Sequence, residues 1–380
     1  MKENTSKRVF IKKSLTGIAG CLVYGGAERA LFAATEGLSQ DALWKWSKEA
    51  MFYTQTARGP KCDLCPSHCF IKPGGEGECR NRVNHNNKIY SIAYGNPCAV
   101  HNDPVEKKPL YHFLPGSSTY SIAAAGCNLA CLNCQNWNMS QKSPRQTRNY
   151  DLMPDKVVEG AIAAGSTSIS YTYTEPITFY EYTYDTSVLA RKKKLRNILV
   201  TAGYINENPL RALCKVIDAV NIDLKSFDNT IYQQLNGGSL APVLRSLRIF
   251  HEENVWIEIT NLLVPQWTDK PDMIKRMCEW LCNNGLQDYP LHFSRFYPQY
   301  KLSHLPVTPV SIMQKAREIA LDAGIRHVYI GNVPELDTNN TICPVCKKTV
   351  VERKGLRTLA MHITKGKCTH CGTMVPGIWQ

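Results

Sequence analysis

The sequence predicts an α/β fold: a partial (βα)6-type parallel barrel with a Cys-rich N-terminal segment and a C-terminal zinc-ribbon-like module. Three observations predict it. From about residue 119, short β-rich runs alternate with helix-length segments, which implies a parallel sheet with right-handed crossovers. Pro154, Pro209, Pro242 and Pro309 lie at or near the helix starts, where a missing N–H costs little. Twelve of the sixteen cysteines fall in short clusters or beside them, at Cys62, Cys65, Cys69, Cys79, Cys98, Cys127, Cys131, Cys134, Cys343, Cys346, Cys368 and Cys371. Repeated short spacings of this kind in a long chain suit metal ligation better than a disulfide framework.

Taken in order, residues 1–40 have the architecture of a leader. A basic stretch, Lys7, Arg8, Lys12 and Lys13, precedes a mildly apolar run from Leu15 to Tyr24, as in a signal peptide. Ser6-Lys7-Arg8-Val9-Phe10-Ile11-Lys12 is similar to the twin-arginine export motif with Lys in place of the first Arg. Ile18-Ala19-Gly20-Cys21 is similar to a lipoprotein cleavage box. The expected location is therefore either cytoplasmic or exported and membrane-tethered through this leader. No apolar run reaches the roughly 20 residues of a spanning helix, so membrane contact is expected only through such an anchor.

Residues 41–118 form the Cys-rich segment. "CDLCPSHCFIKPGGEGECRNR" places Cys62, Cys65, Cys69 and Cys79 among glycines, which allow the tight turns a metal site requires. The metal is zinc or a second iron–sulfur cluster.

Residues 119–335 carry the barrel. The expected strands are Thr119–Ala125, Ser168–Tyr173, Asn197–Thr201, Ala219–Asp223, Val255–Leu263, Leu291–Phe296 and His327–Ile330. The expected helices are Pro154–Ala164, Ile177–Lys193, Pro209–Val216, Pro242–Glu253, Asp272–Asn284 and Pro309–Ala323. Parallel barrels carry their chemistry at the C-terminal ends of the strands. Polar groups recur at those ends: the triple-cysteine loop, Glu175, Thr201, Asp223 and Lys225, then Glu258, Thr260 and Asn261, His292, Ser294 and Arg295, and Asn332. His292 could move a proton near neutral pH and Arg295 could bind a carboxylate or phosphate, which makes both candidate catalytic residues. His112 reads as packing. Cys214, Cys278 and Cys282 read as small buried residues on helices.

Residues 336–380 hold Cys343-x2-Cys346 and Cys368-x2-Cys371. Two CxxC knuckles facing one metal are a zinc-ribbon pattern, and zinc there would fold a tail too short for its own core. The formal charge of +13 does not by itself point to nucleic acid. Each zinc tetrathiolate would remove about two charges, and the densest basic run, Arg191-Lys192-Lys193-Lys194, suits the end of a helix.

The motif "AAAGCNLACLNCQNW" spaces Cys127, Cys131 and Cys134 as C-x3-C-x2-C. No His or acidic residue in the loop offers a fourth zinc ligand. A [4Fe–4S] cube held by three thiolates would leave one iron open. Spacing alone does not choose between iron and zinc. Gly126-Cys127-Asn128-Leu129-Ala130-Cys131-Leu132-Asn133-Cys134 resembles the signature of the radical S-adenosylmethionine (SAM) enzymes. With "NDPVEKKPLYHFLPGS", "CQNWNMSQ", "SYTYTEP", "NIDLKSF" and "HFSRFYPQY", the chain resembles the radical enzyme of the AmmeMemoRadiSam group, related to the pyruvate formate-lyase-activating enzymes. The resemblance implies that Cys127, Cys131 and Cys134 hold a [4Fe–4S] cluster and that S-adenosyl-L-methionine ligates its fourth iron. One electron from the cluster then cleaves the sulfonium to methionine and a 5′-deoxyadenosyl radical, which abstracts a hydrogen atom. Glu175 and Pro176 match the family's Gly-Gly-Glu-Pro, with Tyr173-Thr174 in place of the glycines, and this assigns Glu175 to the methionine ammonium. Asp223 and Lys225 match the activating enzymes' Asp-Leu-Lys. Thr201-Ala202-Gly203 stands where they often have Thr-Asn-Gly. Thr201 and Asn332 complete the expected cofactor-binding set. The implied partners are a low-potential electron donor and either a protein substrate or AmmeMemoRadiSam partner proteins. The competing readings are a multi-metal electron-transfer protein and a zinc-dependent binding protein, neither of which cleaves the cofactor.

Overall fold

The computed structural model of the protein describes residues 43–334, 336 and 338–380. The leader-like stretch 1–40 lies outside them. The centre is an eight-stranded sheet whose strands lie side by side in chain order. They are β1 Ala99–Pro104, β2 Ser118–Ala123, β3 Ser168–Tyr171, β4 Arg196–Thr201, β5 Ala219–Asp223, β6 Trp256–Leu263, β7 Leu291–Arg295 and β8 Val328–Gly331. β1 pairs antiparallel with β2, and every later neighbour is parallel. The sheet therefore begins at Ala99, inside the stretch read from sequence as the Cys-rich segment. β8 and β1 are its two edges.

Six helices cross between the parallel strands: α1 Pro154–Ala163, α2 Tyr180–Lys192, α3 Glu207–Cys214, α4 Leu240–Glu252, α5 Pro271–Asn283 and α6 Val310–Asp322. Their spacing explains them. α5 buries Met273, Ile274, Met277, Cys278 and Leu281, the i, i+4, i+8 stripe of an amphipathic helix. The strands bury residues on both faces, as Ile198, Leu199, Val220, Ile222, Ile257 and Ile259 do, as expected of a parallel sheet with crossover helices on its face and, at Ile198, the segment after β1 against it. Among the described residues no helix is long and apolar enough to cross a membrane.

Two small units flank the sheet. In the N-terminal one, Lys48–Glu49, Lys88–Ser91 and Arg82–His85 form a three-stranded sheet, and Tyr53–Thr56 pairs with Gly59–Cys62. Arg82 anchors this unit to α2: its Nη2 donates to Glu181 Oε1 at 2.6 Å, with both side chains buried. The C-terminal unit has a three-stranded sheet, Thr341–Ile342, Thr349–Lys354 and Arg357–Met361, and a short hairpin, Ile363–Thr364 with Lys367–Cys368.

The segment between β1 and β2 closes the N-terminal end of the sheet. Val105, Leu110 and Phe113 pack on Ile198 and Ala219, near the starts of β4 and β5. Glu258 of β6 fastens it, accepting from the backbone N–H groups of Tyr111 at 2.9 Å and His112 at 2.7 Å, and from Trp256 Nε1 at 3.2 Å. The His292 ring lies 2.7 Å from the same carboxylate. The sequence reading put His292 and Glu258 on the C-terminal rim. Both lie in the N-terminal halves of their strands and are bound up with this floor, because the depth of a residue along a parallel strand is invisible to its alternation. His112 is packed as expected, its ring nitrogens 2.7 Å from Pro376 O and from the Tyr329 hydroxyl.

Removing the Glu258 carboxylate strands two buried N–H groups, an indole and an imidazole together. Glu258→Ala is expected to lower unfolding free energy by about 3–5 kcal/mol, since each buried donor left unsatisfied costs about 1–3 kcal/mol. Glu258→Gln should cost less, since it keeps an acceptor. Urea unfolding monitored by tryptophan fluorescence reads both values.

Candidate metal and cofactor site

The triple-cysteine loop leaves the C-terminal end of β2 and folds over the sheet. Its shape is held from below and from the side. Ala130 N donates to Asn236 O at 2.8 Å and Leu132 N to Leu235 O at 2.9 Å. Gln141 Nε2 donates to Leu129 O at 3.1 Å. The single helical turn Trp137–Ser140 ends the loop, with Gly126 N donating to Met139 O at 3.1 Å. Gly126 is required as glycine. Its φ is +101°, and a Cβ there would lie 2.5 Å from Cys79 O and from Asn81 Oδ1.

Each sulfur has a polar neighbour. Asn236 Nδ2 donates to Cys131 Sγ at 3.3 Å and Leu129 N to Cys127 Sγ at 3.4 Å, while Ser140 Oγ lies 3.1 Å from Cys134 Sγ. Donors aimed at sulfur favour the thiolate, the form that binds metal. Burial first, then the Glu175 carboxylate, pushes the free Cys127 thiol well up from its ordinary range, so ionising it calls for a compensating positive charge.

The β3 end closes over this loop. Thr174 Oγ1 donates to Ala124 O and Asn136 Nδ2 to Tyr173 O, both at 2.6 Å. Tyr173 has φ +65°, and its hydroxyl reaches down to Asp103 of β1. Lys108, from the floor, donates to the same carboxylate at 2.7 Å and lies 4.4 Å from the Tyr173 ring centroid. Burial pulls the Lys108 ammonium down to about 8 although Asp103 opposes it. Asp103 is held low: burial raises it, but hydrogen bonds from Lys107, Lys108 and Tyr173 outweigh that. This Asp103–Lys108–Tyr173 group escaped the sequence reading. Its members lie on three separate elements, and only "NDPVEKKPLYHF", with its unusual density of charge beside apolar residues, hinted at it.

Glu175 is 1% exposed. Its Oε1 accepts from Thr201 Oγ1 at 2.6 Å and from Ile177 N at 3.2 Å, and its Oε2 from Ala202 N at 2.8 Å. Three of about four acceptor positions are used, leaving one on Oε2. Burial raises its pKa against those three donors. Thr201 thus touches Glu175 and Gly203 N, and it orients the carboxylate from behind. Asp223, the last residue of β5, and Lys225, two residues on, pair at 2.9 Å and are partly exposed. Burial works against the Lys225 ammonium, but Asp223 and then Cys131 outweigh it and hold its pKa well above the usual value. Cys127, Cys131, Cys134, Glu175, Thr201, Asp223 and Lys225 therefore gather at one end of the sheet. Arg295 and Asn332 lie farther along that edge, at the ends of β7 and β8. Arg295 donates to Thr308 O at 2.8 Å, and Asn332 O accepts from the exposed Tyr297 hydroxyl at 3.1 Å. His292 is not among them.

The C-terminal cysteines converge differently. The sulfurs of Cys343, Cys346, Cys368 and Cys371 all lie within 4.8 Å of one another, and no other described group of three or more potential ligands does so. Cys343 and Cys371 sulfurs are 3.6 Å apart, and Cys346 and Cys368 3.8 Å. These are the separations that four thiolates about 2.3 Å from one ion require. Arg353 docks this unit on the floor, donating to Tyr111 O at 2.5 Å.

Known proteins bear on this arrangement. The radical SAM superfamily profile matches residues 121–281. An uncharacterized protein of Methanocaldococcus jannaschii is 40% identical over 331 residues, 86% of this chain and 98% of that protein. The pyruvate formate-lyase 1-activating enzyme of Escherichia coli K12 is 26% identical over 166 residues, 42% of this chain and 67% of the enzyme. A solved domain of a pyruvate-formate lyase-activating enzyme from Bacteroides vulgatus superposes with TM-score 0.40 and 17% identity, over 44% of this chain and all of that one.

Gly126→Ala tests the loop itself. The added Cβ must displace backbone, and a non-glycine residue held at such a φ costs on the order of 1–3 kcal/mol. The expected result is a lowered melting temperature and reduced iron uptake on anaerobic reconstitution, with the far-ultraviolet circular dichroism of the sheet retained.

Proposed function

We propose that this chain, which carries a radical SAM domain and belongs to the same family as the Methanocaldococcus jannaschii protein, reductively cleaves S-adenosyl-L-methionine. The observation that carries the reading is the partly buried three-thiol loop, with Glu175 near Cys127 and the Asp223–Lys225 pair near Cys131, at the C-terminal end of a parallel sheet. The donor set suits a [4Fe–4S] cluster with one iron left for the cofactor: three thiolates, each with a polar neighbour at sulfur, and no fourth protein ligand in the loop. Bound there, cluster and cofactor supply one-electron cleavage to methionine and a 5′-deoxyadenosyl radical for hydrogen abstraction.

The protein's own groups do the positioning. Asn236, Leu129 N and Ser140 support the three sulfurs. Glu175, oriented by Thr201 and Ala202 N, offers its remaining Oε2 acceptor position to the methionine ammonium. Lys225 offers a cation to a carboxylate and Asp223 an acceptor to a hydroxyl or cation. Arg295 and Asn332 flank the far side of a partial barrel, where substrate would enter. The Trp137 and Tyr300 rings stack at 5.1 Å beside the triple-cysteine loop, with Trp137 exposed, and give an aromatic surface suited to a protein segment. The similarity to activating enzymes favours a protein glycine as the atom donor, and membership of the AmmeMemoRadiSam group would make it a small molecule or a partner protein. Turnover needs a low-potential electron donor. Zinc at Cys343, Cys346, Cys368 and Cys371 would brace the tail against the floor.

Anaerobically reconstituted, reduced protein given S-adenosyl-L-methionine is expected to release 5′-deoxyadenosine, and Cys131→Ala is expected to release none. No product from protein with a full iron and sulfide complement would sink the reading. Glu175→Gln removes a charge-assisted bond worth about 1.5–3 kcal/mol, so cofactor affinity measured by calorimetry should fall roughly tenfold or more. Cys368→Ser should release the tail's metal and expose residues 341–380 to limited proteolysis, with cofactor cleavage retained.

A further inference from the structure

We propose that Cys62, Cys65, Cys69 and Cys79 hold a second [4Fe–4S] cluster, and not zinc, in contact with the triple-cysteine loop. The four thiols line one cavity together with Arg82 and Asn128. The C-terminal cysteines are an internal standard for a single ion: their four sulfurs close to within 4.8 Å of one another. No three of the N-terminal four do so, and neither do Cys127, Cys131 and Cys134. A four-iron cube holds its thiolates at its corners, farther apart than one tetrahedral ion does. Neither N-terminal set has the closeness of a single ion's ligands, which the C-terminal set has, and the N-terminal four stand around a common cavity.

The wall chemistry fits an anionic cluster. Arg82 is buried, its Nη1 lies 3.8 Å from Cys62 Sγ, and its Nε has no partner. Glu181 holds the Arg82 guanidinium in place, so a positive group stands beside the cysteines, where a cluster held by four thiolates would be net negative.

The two cysteine sites share a wall. Asn128 directly follows Cys127 and lines the four-cysteine cavity. Cys79 O and Asn81 press on Gly126 so closely that no Cβ fits between them. Arg80 donates to Cys127 O at 3.4 Å. Cys65 and Cys79 are buried on this inner side, while Cys69 is only half-buried and its neighbour Phe70 is 52% exposed. The arrangement suits a relay. One electron enters from a low-potential protein donor at the Cys69 side, reduces the second cluster, and passes to the first, with no bond or proton exchanged. This relay role rests on the cofactor-cleavage reading; the identity of the metal does not.

The test separates the two. The Cys127/Cys131/Cys134→Ala triple variant, reconstituted anaerobically with iron and sulfide, is expected to bind about four irons and four sulfides and to give a reduced-cluster electron paramagnetic resonance signal. Binding no iron, with about two zinc ions per chain, would overturn the proposal. Should that variant not fold, the wild type decides: about eight irons and one zinc support it, about four irons and two zinc overturn it. In the fully reduced wild type, the two signals are expected to split or broaden through their mutual magnetic interaction. A spectrum equal to the sum of those of the triple variant and the Cys62/Cys65/Cys69/Cys79→Ser variant would overturn the contact between clusters. A triple variant that holds its cluster, beside a wild type that releases no 5′-deoxyadenosine, would leave the second cluster standing and remove only the cleavage reading.

Discussion

The Glu258 carboxylate, fully buried at the floor, is the interaction on which the rest of the molecule depends. A parallel sheet with two free edges has an inner face that must be covered from one end if the other is to stay open. Here a loop between the first two strands does the covering, and a loop brings backbone N–H groups that need acceptors. Glu258 takes two of them, along with the Trp256 indole and the His292 ring. The floor so fixed then carries the C-terminal unit, through Arg353 on Tyr111 O and the His112 ring on Pro376 O. It also sends Lys108 up beneath the Tyr173 ring, so the closed end shapes the underside of the open one.

At the open end the constraint is electrostatic. Three thiols, Glu175 and Asp223 stand together with one nearby ammonium, Lys225. Such a concentration of acidic groups in a partly buried place is stable only if hydrogen bonds share the charge or a cation is brought in. The protein does the first with Thr201, Ala202 N, Asn236 and Leu129 N. The second would fall to the proposed cluster.

The three cysteine sets illustrate how differently one residue type can be used. In the tail, two CxxC turns on short hairpins bring four sulfurs to a single point. In the other two sets no three sulfurs come so close to one another. The glycine at position 126 lets these two sites lie back to back. Arg82, bound to Glu181 of α2, fixes the N-terminal unit against the sheet, so their contact does not depend on loops alone.

Much of this was legible from the chain alone. Strand and helix positions follow from apolar alternation and proline placement, and Ala219–Asp223 matches residue for residue. The cysteine spacings and the Glu175-Pro176 and Asp223-Leu224-Lys225 motifs marked the mouth of the fold, because local sequence dictates where a strand ends and which residues succeed it. Other features depended on distant packing. The antiparallel β1 has weak alternation, Ala-Val-His-Asn-Asp-Pro, and becomes a strand only because β2 offers an edge. His292 and Arg295 lie three residues apart on one strand, yet one is tied to the floor and the other to the rim; periodicity says which face a side chain takes and nothing of its depth. The meeting of Asp103 and Lys108 with Tyr173, and of Cys79 with Gly126, joins residues tens of positions apart. Sequence by itself determined the elements and the ligand types, since those are local. Which ligands share a centre, and how far apart their sulfurs stand, was decided by tertiary structure, because only packing across the sheet brings them together.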